Sequence, residues 1–167
     1  VNCVRTSSLG RVFDAVAALV GVGACNHFDA QLPIALEASA ANDVDGAYDF
    51  ALRESAEGPV VLDWSPMIRQ ICVDVQARTP ASIIAALFHN TIVSGLFELA
   101  KRAREATQIN TVALSGGVFC NKYLIEHLIK LLNQAGFCVL FNQSIPANDG
   151  GIAVGQAAIA AELANQS

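Results

Sequence analysis

Two glycine-bearing stretches of this sequence combine residue types that could bind a phosphorylated ligand. The first covers residues 114–121 (LSGGVFCN) and sets Gly116 and Gly117 between an apolar, strand-like run and a helix. Glycines at such a turn let a ligand approach the main chain closely, and the free N–H groups at the helix start attract phosphate or hydroxyl oxygens. Strand–Gly–Gly–helix turns also occur where nothing binds, so this stretch alone leaves both interpretations open.

The second stretch covers residues 146–152 (PANDGGI), in which Asp149 stands directly before two glycines. It follows an apolar, strand-like run and precedes a helix. In an open α/β sheet, ligands tend to bind at the carboxyl ends of the strands, where this stretch would lie. Asp149 is therefore either a carboxylate ligand for a divalent metal or simply the N-cap of the next helix.

The third candidate is Asp14, in residues 7–14 (SSLGRVFD), where a carboxylate lies in the first turns of an otherwise apolar helix. There it either faces solvent or reaches a polar ligand such as a ribose hydroxyl.

The histidines, His27, His89 and His127, form no H-x-x-x-H pair. We expect His89 to be half-buried and structural, and His127 to face solvent. No spacing suggests a Ser/His/Asp or Cys/His nucleophile.

Composition and cysteine usage narrow the class of protein. The net charge of −5 argues against a nucleic-acid partner. No apolar run reaches the roughly 18 residues of a membrane span, so we expect no membrane partner either. Hydrophobic residues make up 53% of the chain and charged residues 15%, which indicates either an unusually large core or, as we expect, a surface that is partly covered by something else. The odd number of scattered cysteines without a C-x-x-C pair predicts reduced, buried thiols in a cytoplasmic protein, rather than disulfides or a zinc site. They are Cys3, Cys25, Cys72, Cys120 and Cys138.

Hydrophobic periodicity predicts the elements that position these residues. The first half is predicted to hold two helices, a β-hairpin and a third helix. The first helix covers residues 10–20, with Ser7 or Ser8 as its cap and Gly21 after its end, and the second covers residues 33–41. The hairpin consists of strands 48–52 and 60–62 around the turn 57–59. The third helix runs from Asp63 or Ser65 to residue 76.

The second half is predicted to alternate helix and strand, which implies a parallel strand pair and an α/β layer. The elements are a helix over residues 79–107 with Ile84, Leu87, Thr91, Gly95 and Leu99 on one face, a buried strand 111–114, a helix 121–135, a strand 138–141 and a helix 150–164. We expect one domain, with helices and a hairpin over residues 1–77 and an α/β core over residues 78–167.

Four motifs, taken in order, resemble a known family: SSLGRVFDAVAALVG, FHNTI, LSGGVFCN and PANDGGIAVGQ. They are similar to the C-terminal part of the hydrogenase-maturation carbamoyltransferases (HypF), which is related to the tRNA threonylcarbamoyl-transfer proteins (TsaD). The resemblance implies an α/β fold: half of an actin-like ATPase (RNase H-like) fold of the actin/Hsp70/sugar-kinase type, with a helical and β-hairpin N-terminal portion.

The resemblance also implies roles for single residues. It makes Asp149 a ligand of a divalent metal of unknown identity, and it identifies no catalytic residue. It places Ser8 and Gly10 near the nucleotide phosphates and Asp14 at the ribose. The nucleotide-contacting turn and the start of its helix would be Gly116, Gly117 and Asn121.

The activity that the resemblance implies is transfer of a carbamoyl group. The full enzyme would make carbamoyl adenylate from carbamoyl phosphate and ATP, then pass the carbamoyl group to the C-terminal cysteine of a HypE-type hydrogenase maturation protein. The alternatives are a non-catalytic nucleotide-binding or assembly module, and a tRNA threonylcarbamoyl-transfer relative. This chain would be a fragment that works with the remaining domains of its own full-length chain.

Three departures from the family pattern bear on that expectation. The family's metal site also uses an H-x-x-x-H motif that this chain lacks, so the chain alone should be inactive. Ala30 stands before Gln31, where the family usually has glycine, and its methyl group could crowd a nucleotide or tilt the loop. Cys120 stands where the family usually has glutamine.

Overall fold

The computed structural model describes residues 6–55 and 58–165, and the chain forms two compact units, Val1–Gln108 and Ile109–Ser167. The first unit contains α1 (Leu9–Leu19), α2 (Gln31–Ser39), β1 (Ala51–Ser55), β2 (Gly58–Asp63), α3 (Ser65–Gln76) and α4 (Ala81–Thr107). The second contains β3 (Thr111–Leu114), α5 (Lys122–Gln134), β4 (Cys138–Phe141) and α6 (Ile152–Asn165), with short 3-10 turns at Gly117–Cys120 and Asp149–Gly151.

The core of the first unit forms around α4. Phe88 on α4 is fully buried and meets Phe13 of α1 edge to face, with ring centroids 4.8 Å apart. Burying an aromatic side chain of this size contributes about 1.5–3 kcal/mol. His89 is also fully buried, deeper than expected, and its Nδ1 lies 2.7 Å from the carbonyl oxygen of Ala85. This contact supports the structural role predicted for His89.

Helix α4 is the long helix that the sequence predicted over residues 79–107, and it is more apolar than expected. It has 27 residues, and by length and composition alone it could cross a membrane. Half of its most apolar 18-residue window is buried inside the protein, where α4 packs against α2 and α3, as a core helix does. These contacts place α4 with the N-terminal elements, whereas the sequence analysis grouped it with residues 78–167.

The first strand begins later than its alternating pattern predicted. Tyr48 and Phe50 lie before β1, which starts at Ala51 and pairs antiparallel with β2. The backbone N–H of Tyr48 donates to Thr91 Oγ1 at 2.8 Å, and the next N–H, of Asp49, donates to a glutamine side chain. The prediction for residues 48–50 was wrong because side chains of helices satisfy these donors in place of a partner strand.

The second unit confirms the predicted parallel pair. Strands β3 and β4 run parallel, with Leu114 opposite Phe141. Helix α5 buries one face, formed by Leu124, Leu128 and Leu132. Strand β3 was expected to be buried, but of its four residues only Leu114 is buried. The strands form a two-stranded sheet, so most of their side chains have no second layer against them within this unit.

The cysteines do not follow the predicted burial. Cys25, Cys120 and Cys138 are exposed and Cys72 is partly exposed, while Cys3 lies outside the described residues. Apolar neighbours in the sequence suggested burial, but Cys25 lies in a loop and Cys138 begins the largely exposed strand β4. The four described cysteines are free, as the prediction of reduced thiols requires.

Candidate functional site

The glycine turn after β3 is joined to the loop that leads to Asp149. Gly116 has φ +104° and ψ 159°, a backbone conformation that is essentially restricted to glycine. Its N–H donates to the carbonyl oxygen of Ala147 at 2.8 Å. The two stretches that the sequence analysis singled out in the second unit therefore meet at the carboxyl edge of the β3–β4 pair, where α/β sheets bind ligands.

Asn148, not Asp149, caps the turn at the start of α6. The Asn148 side chain accepts a hydrogen bond from the N–H of Gly150 at 3.1 Å, and its carbonyl oxygen accepts one from Gly151 at 2.9 Å. Across residues 6–55 and 58–165, no side chain or backbone group forms a hydrogen bond or ion pair with the Asp149 carboxylate. The interpretation of Asp149 as a helix cap is therefore not supported, and its oxygens remain free for a ligand.

Close packing requires glycine at position 151 and favours it at position 150. A Cβ on Gly151 would lie 2.5 Å from the carbonyl oxygen of Pro146, closer than real Cβ contacts allow. A Cβ on Gly150 would lie 3.1 Å from Asn148 Oδ1, the atom that forms the cap. The glycines thus let the chain fold back tightly on residues 146–148 and present Asp149 at the turn.

The chemistry of Asp149 fits a divalent cation, but the donor set in this chain is partial. An exposed, unpaired carboxylate is the kind of oxygen ligand that Mg²⁺ and similar hard cations prefer. Within the described part of the chain, no group of three or more His, Cys, Asp or Glu side chains could hold a metal ion. Asp149 can therefore contribute one ligand to a site completed by other groups.

Asn121, which is expected to contact the nucleotide, is also the N-cap residue of α5. Its side-chain oxygen accepts a hydrogen bond from the N–H of Leu124 at 2.7 Å and so caps α5. The residue is 9% exposed. Contact with a nucleotide would have to involve other atoms of Asn121, or the neighbouring main chain of Gly117. Cys120, at the end of the same turn, is exposed.

The remaining candidate residues lie at the start of α1, in the first unit. Asp14 Oδ1 accepts a hydrogen bond from Asn26 Nδ2 at 3.0 Å, and Oδ2 lies 2.9 Å from the guanidinium of Arg11. Oδ2 is buried, and its contact with Arg11 is an ion pair rather than a hydrogen bond. Ser8 stands at the N-cap position of α1, but its side chain does not form the predicted cap. Gly10 lies in the first turn of the helix.

The loop between α1 and α2 is held by a residue that the sequence analysis did not consider as functional. Asn26 donates to Asp14 and accepts a hydrogen bond from the N–H of Leu32 at 2.8 Å, so it links α1 to the start of α2. Asn148 was likewise overlooked. In its case the Asn-x-Gly spacing was a usable signal, because an Asn side chain commonly accepts from the N–H two residues on.

The backbone conformation of Ala30 accounts for the glycine that the family usually has at this position. It is the residue before α2 and has φ 58° and ψ 19°, the left-handed conformation that glycine adopts at little cost. A glycine at this position would therefore suit the backbone itself. Crowding of a nucleotide by the Ala30 methyl group is not needed to account for the family preference.

Comparison with known proteins gives a consistent result. Residues 1–156 match the family described as "Carbamoyltransferase, Kae1-like Domain, second subdomain". The chain is 36% identical to "Carbamoyltransferase HypF" of Synechocystis sp. over 90% of its own length and 19% of that protein. It is 33% identical to "Probable carbamoyltransferase HypF" of Methanocaldococcus jannaschii over 93% of its length and 20% of that protein.

Two solved structures share the fold. One is described as the crystal structure of full-length HypF in the phosphate- and nucleotide-bound form. It has a TM-score of 0.87 and 42% identity, over 94% of this chain and 20% of that one. The crystal structure of T. kodakarensis HypF has a TM-score of 0.72 and 25% identity, over 90% of this chain and 19% of that one. These likenesses confirm the predicted α/β fold, half of an actin-like fold.

Proposed function

Because this chain belongs to the carbamoyltransferase family as the second subdomain of its Kae1-like domain, we propose that it supplies the nucleotide- and metal-binding part of a HypF-type carbamoyltransferase. The observation that carries the proposal is the hydrogen bond between Gly116 and Ala147, which sets the glycine turn beside a free Asp149 carboxylate. Nucleotide binding by a similar structure supports the proposal.

The family resemblance implies the proposed contacts, and the side-chain and backbone chemistry of each unit is compatible with them. In the second unit, the main chain of Gly116 and Gly117 allows close approach of an adenine nucleotide, and Asn121 holds the start of α5 in place. In the first unit, Asp14 is the proposed ribose contact, with Ser8 and Gly10 near the phosphates. Asp14 is already held by Arg11 and Asn26, so a ribose hydroxyl would meet a carboxylate of fixed orientation.

The proposed reaction moves a carbamoyl group from carbamoyl adenylate to the C-terminal cysteine of a HypE-type partner protein: the cysteine sulfur forms a bond to the carbamoyl carbon, the bond from that carbon to the phosphate oxygen breaks, and AMP and the thiol proton are released. Asp149 would hold the divalent cation, together with ligands from outside this chain. The cation, when bound, supplies Lewis-acid polarisation of the carbamoyl or phosphate group. In this proposal the attacking thiol belongs to the partner protein and the residues of this chain orient the nucleotide, so their contribution is positioning and electrostatic stabilisation.

We further propose that the chain acts together with other domains of a longer cytoplasmic polypeptide. It spans about a fifth of the length of the curated relatives from Synechocystis and Methanocaldococcus. Helix α6 has no buried residue, although it carries apolar side chains: Ile152, Val154, Ile159 and Leu163 are between 48% and 64% exposed. Such a helix suits coverage by another part of the same polypeptide better than contact with water.

Substitution of Asp149 tests the proposal directly. In the full-length protein that carries this segment, Asp149→Ala should remove bound metal and abolish carbamoyl transfer, because a ligand of the cation is lost. A matched control is Asp45→Ala, which changes an exposed aspartate on a loop of the first unit. Transfer and metal content that survive in the Asp149 variant would contradict the proposal.

Nucleotide binding by the 167-residue chain provides a second test. Calorimetry with ATP or ADP should show at best weak binding, since residues 6–55 and 58–165 supply only part of the proposed metal site. Tight binding that does not depend on magnesium would contradict the partial-site interpretation. Nucleotide binding without any carbamoyl transfer in the full-length protein would favour the assembly-module alternative.

A further inference from the structure

Three adjacent residues connect the glycine turn to the proposed metal ligand. Ala147 accepts the N–H of Gly116 at 2.8 Å through its carbonyl oxygen. Asn148 then caps the turn through its side chain, 3.1 Å from the N–H of Gly150, and Asp149 follows with no described partner for its carboxylate. Each residue of this run thus has a different task, and the cap belongs to the middle one.

Asn148 and Asp149 are chemically equivalent as helix caps, since Asn and Asp side chains cap helices about equally well. If Asp149 formed the cap, its carboxylate would accept backbone N–H groups at the start of α6 and would be turned away from a ligand. The cap formed by Asn148 satisfies the Gly150 N–H with a neutral amide oxygen. The charged side chain is left free by this arrangement.

We propose that Asn148 is a positioning residue for the metal-binding carboxylate: it takes over the cap and thereby keeps Asp149 available to the cation. This inference rests on the proposed function, because it assumes that Asp149 binds a metal. The backbone of the same segment, through Ala147, holds Gly116, so loss of the cap should also loosen the glycine turn.

The test compares caps of different chemistry in the full-length protein that carries this segment. In Asn148→Ala the cap is lost, Asp149 becomes the nearest side chain able to replace it, and affinity for Mn²⁺ should fall roughly 10- to 100-fold, the range for loss of an outer-shell partner. Asn148→Ser keeps a side chain that caps about as well as Asn and should restore affinity to within about threefold of the parent. Titration with Mn²⁺ followed by electron paramagnetic resonance measures this affinity without any assay of transfer.

A structural role alone would give a different pattern. Asn110→Ala is the matched control, since it removes another side-chain hydrogen bond in the same unit, from Asn110 Nδ2 to the carbonyl oxygen of Gly136 at 2.6 Å. It should lower the melting temperature without weakening Mn²⁺ binding well below that temperature. If Asn148→Ala behaves like this control, or if Asn148→Ser fails to restore the affinity, the positioning role is wrong.

Asp149→Ala separates failure of this inference from failure of the proposed function. Loss of Mn²⁺ binding in Asp149→Ala together with full binding in Asn148→Ala would contradict the positioning role while leaving the metal site intact. Unchanged Mn²⁺ binding in Asp149→Ala would overturn the proposed metal ligand itself, and the inference about Asn148 with it.

Discussion

The backbone N–H of Gly116 donates to the carbonyl oxygen of Ala147 at 2.8 Å. This bond joins two loops that are 31 positions apart in the chain and that follow neighbouring parallel strands. Had these loops lain at opposite ends of the β3–β4 pair, the sequence motifs would have had no common ligand. Their contact is what turns two separate glycine patterns into one candidate site.

Replacement of Gly116 should cost stability even though space is available. A Cβ at Gly116 meets nothing within 4 Å, so the expected loss, about 1–3 kcal/mol, comes from the backbone conformation at φ +104°. Urea unfolding of Gly116→Ala measures it. Gly155→Ala is the matched control, because Gly155 lies in α6 with open space around it and its replacement should stabilise by about 0.5–1 kcal/mol. Equal effects in the two variants would contradict this account.

Ala30→Gly should stabilise the first unit. Ala30 adopts a left-handed conformation at φ 58°, which costs an L-residue roughly 1–2 kcal/mol and glycine almost nothing. Part of that gain is offset by the greater entropy of glycine in the unfolded chain, so the expected net gain is about 0.5–1 kcal/mol. Ala15→Gly, at an exposed position inside α1, should instead destabilise by about 0.5–1 kcal/mol. Unfolding midpoints in urea measure the effects of both substitutions. A loss of stability in Ala30→Gly would contradict the expected cost of the left-handed conformation at Ala30.

Asp63 should make the stability of the chain depend on pH under acidic conditions. Hydrogen bonds from the hydroxyl and the N–H of Ser65, and then from Arg53, lower the pKa of Asp63 from 3.8 to about 2. A lowered pKa in the folded state contributes stability above pH 3.8 that is lost as the pH falls through about 2. Asp63→Asn should therefore flatten the decline in urea midpoint between pH 4 and 2. Asp45→Asn, on the exposed loop before β1, should leave the decline unchanged.

Tyr48→Phe should destabilise the first unit by about 1.5–3 kcal/mol, the usual value of a hydrogen bond to a charged group. The Tyr48 hydroxyl donates to Asp74 Oδ2 at 2.6 Å. Burial first, and then this bond to Asp74, raise the pKa of Tyr48 far above its ordinary 10.0. Because a raised pKa contributes stability that is lost as the pH rises above 10, the variant should also show a weaker decline in alkali. Burial also raises the pKa of Tyr123. Tyr123→Phe is therefore the control that separates the effect of burial from the effect of the hydrogen bond to Asp74.

A charge on α6 should affect the isolated chain and the full-length protein differently. Ile159 is 64% exposed, so Ile159→Glu should change the stability of the 167-residue chain by less than about 0.5 kcal/mol. If other domains cover α6, the same charge would be buried without a partner and cost at least about 2 kcal/mol. Thermal unfolding of the 167-residue chain and of the full-length protein measures the two effects. Ala161→Glu places the same charge at a second exposed position of α6 for comparison. Equal small effects in the two proteins would mean that this face of α6 stays uncovered.

Much of the fold was accessible from the sequence because its signals are local. The periodicity of the helices, the parallel pair β3–β4 and the helix end at Gly21, with φ +80°, all followed from spacing and from glycine chemistry. The errors arose where distant side chains intervene. The Thr91 side chain accepts the hydrogen bond from the backbone N–H of Tyr48 that a strand partner would otherwise have accepted. No local sequence pattern reveals a contact between residues that are 43 positions apart.

The sequence by itself determined the family resemblance, the order of elements and the residue types at the two glycine turns. Only the tertiary structure decided that the turns touch, and that Asn148 rather than Asp149 forms the cap. Both side chains are able to cap a helix, and the choice depends on backbone directions that packing around Pro146 and Gly151 imposes. That choice leaves one carboxylate free, which sequence spacing could not have shown.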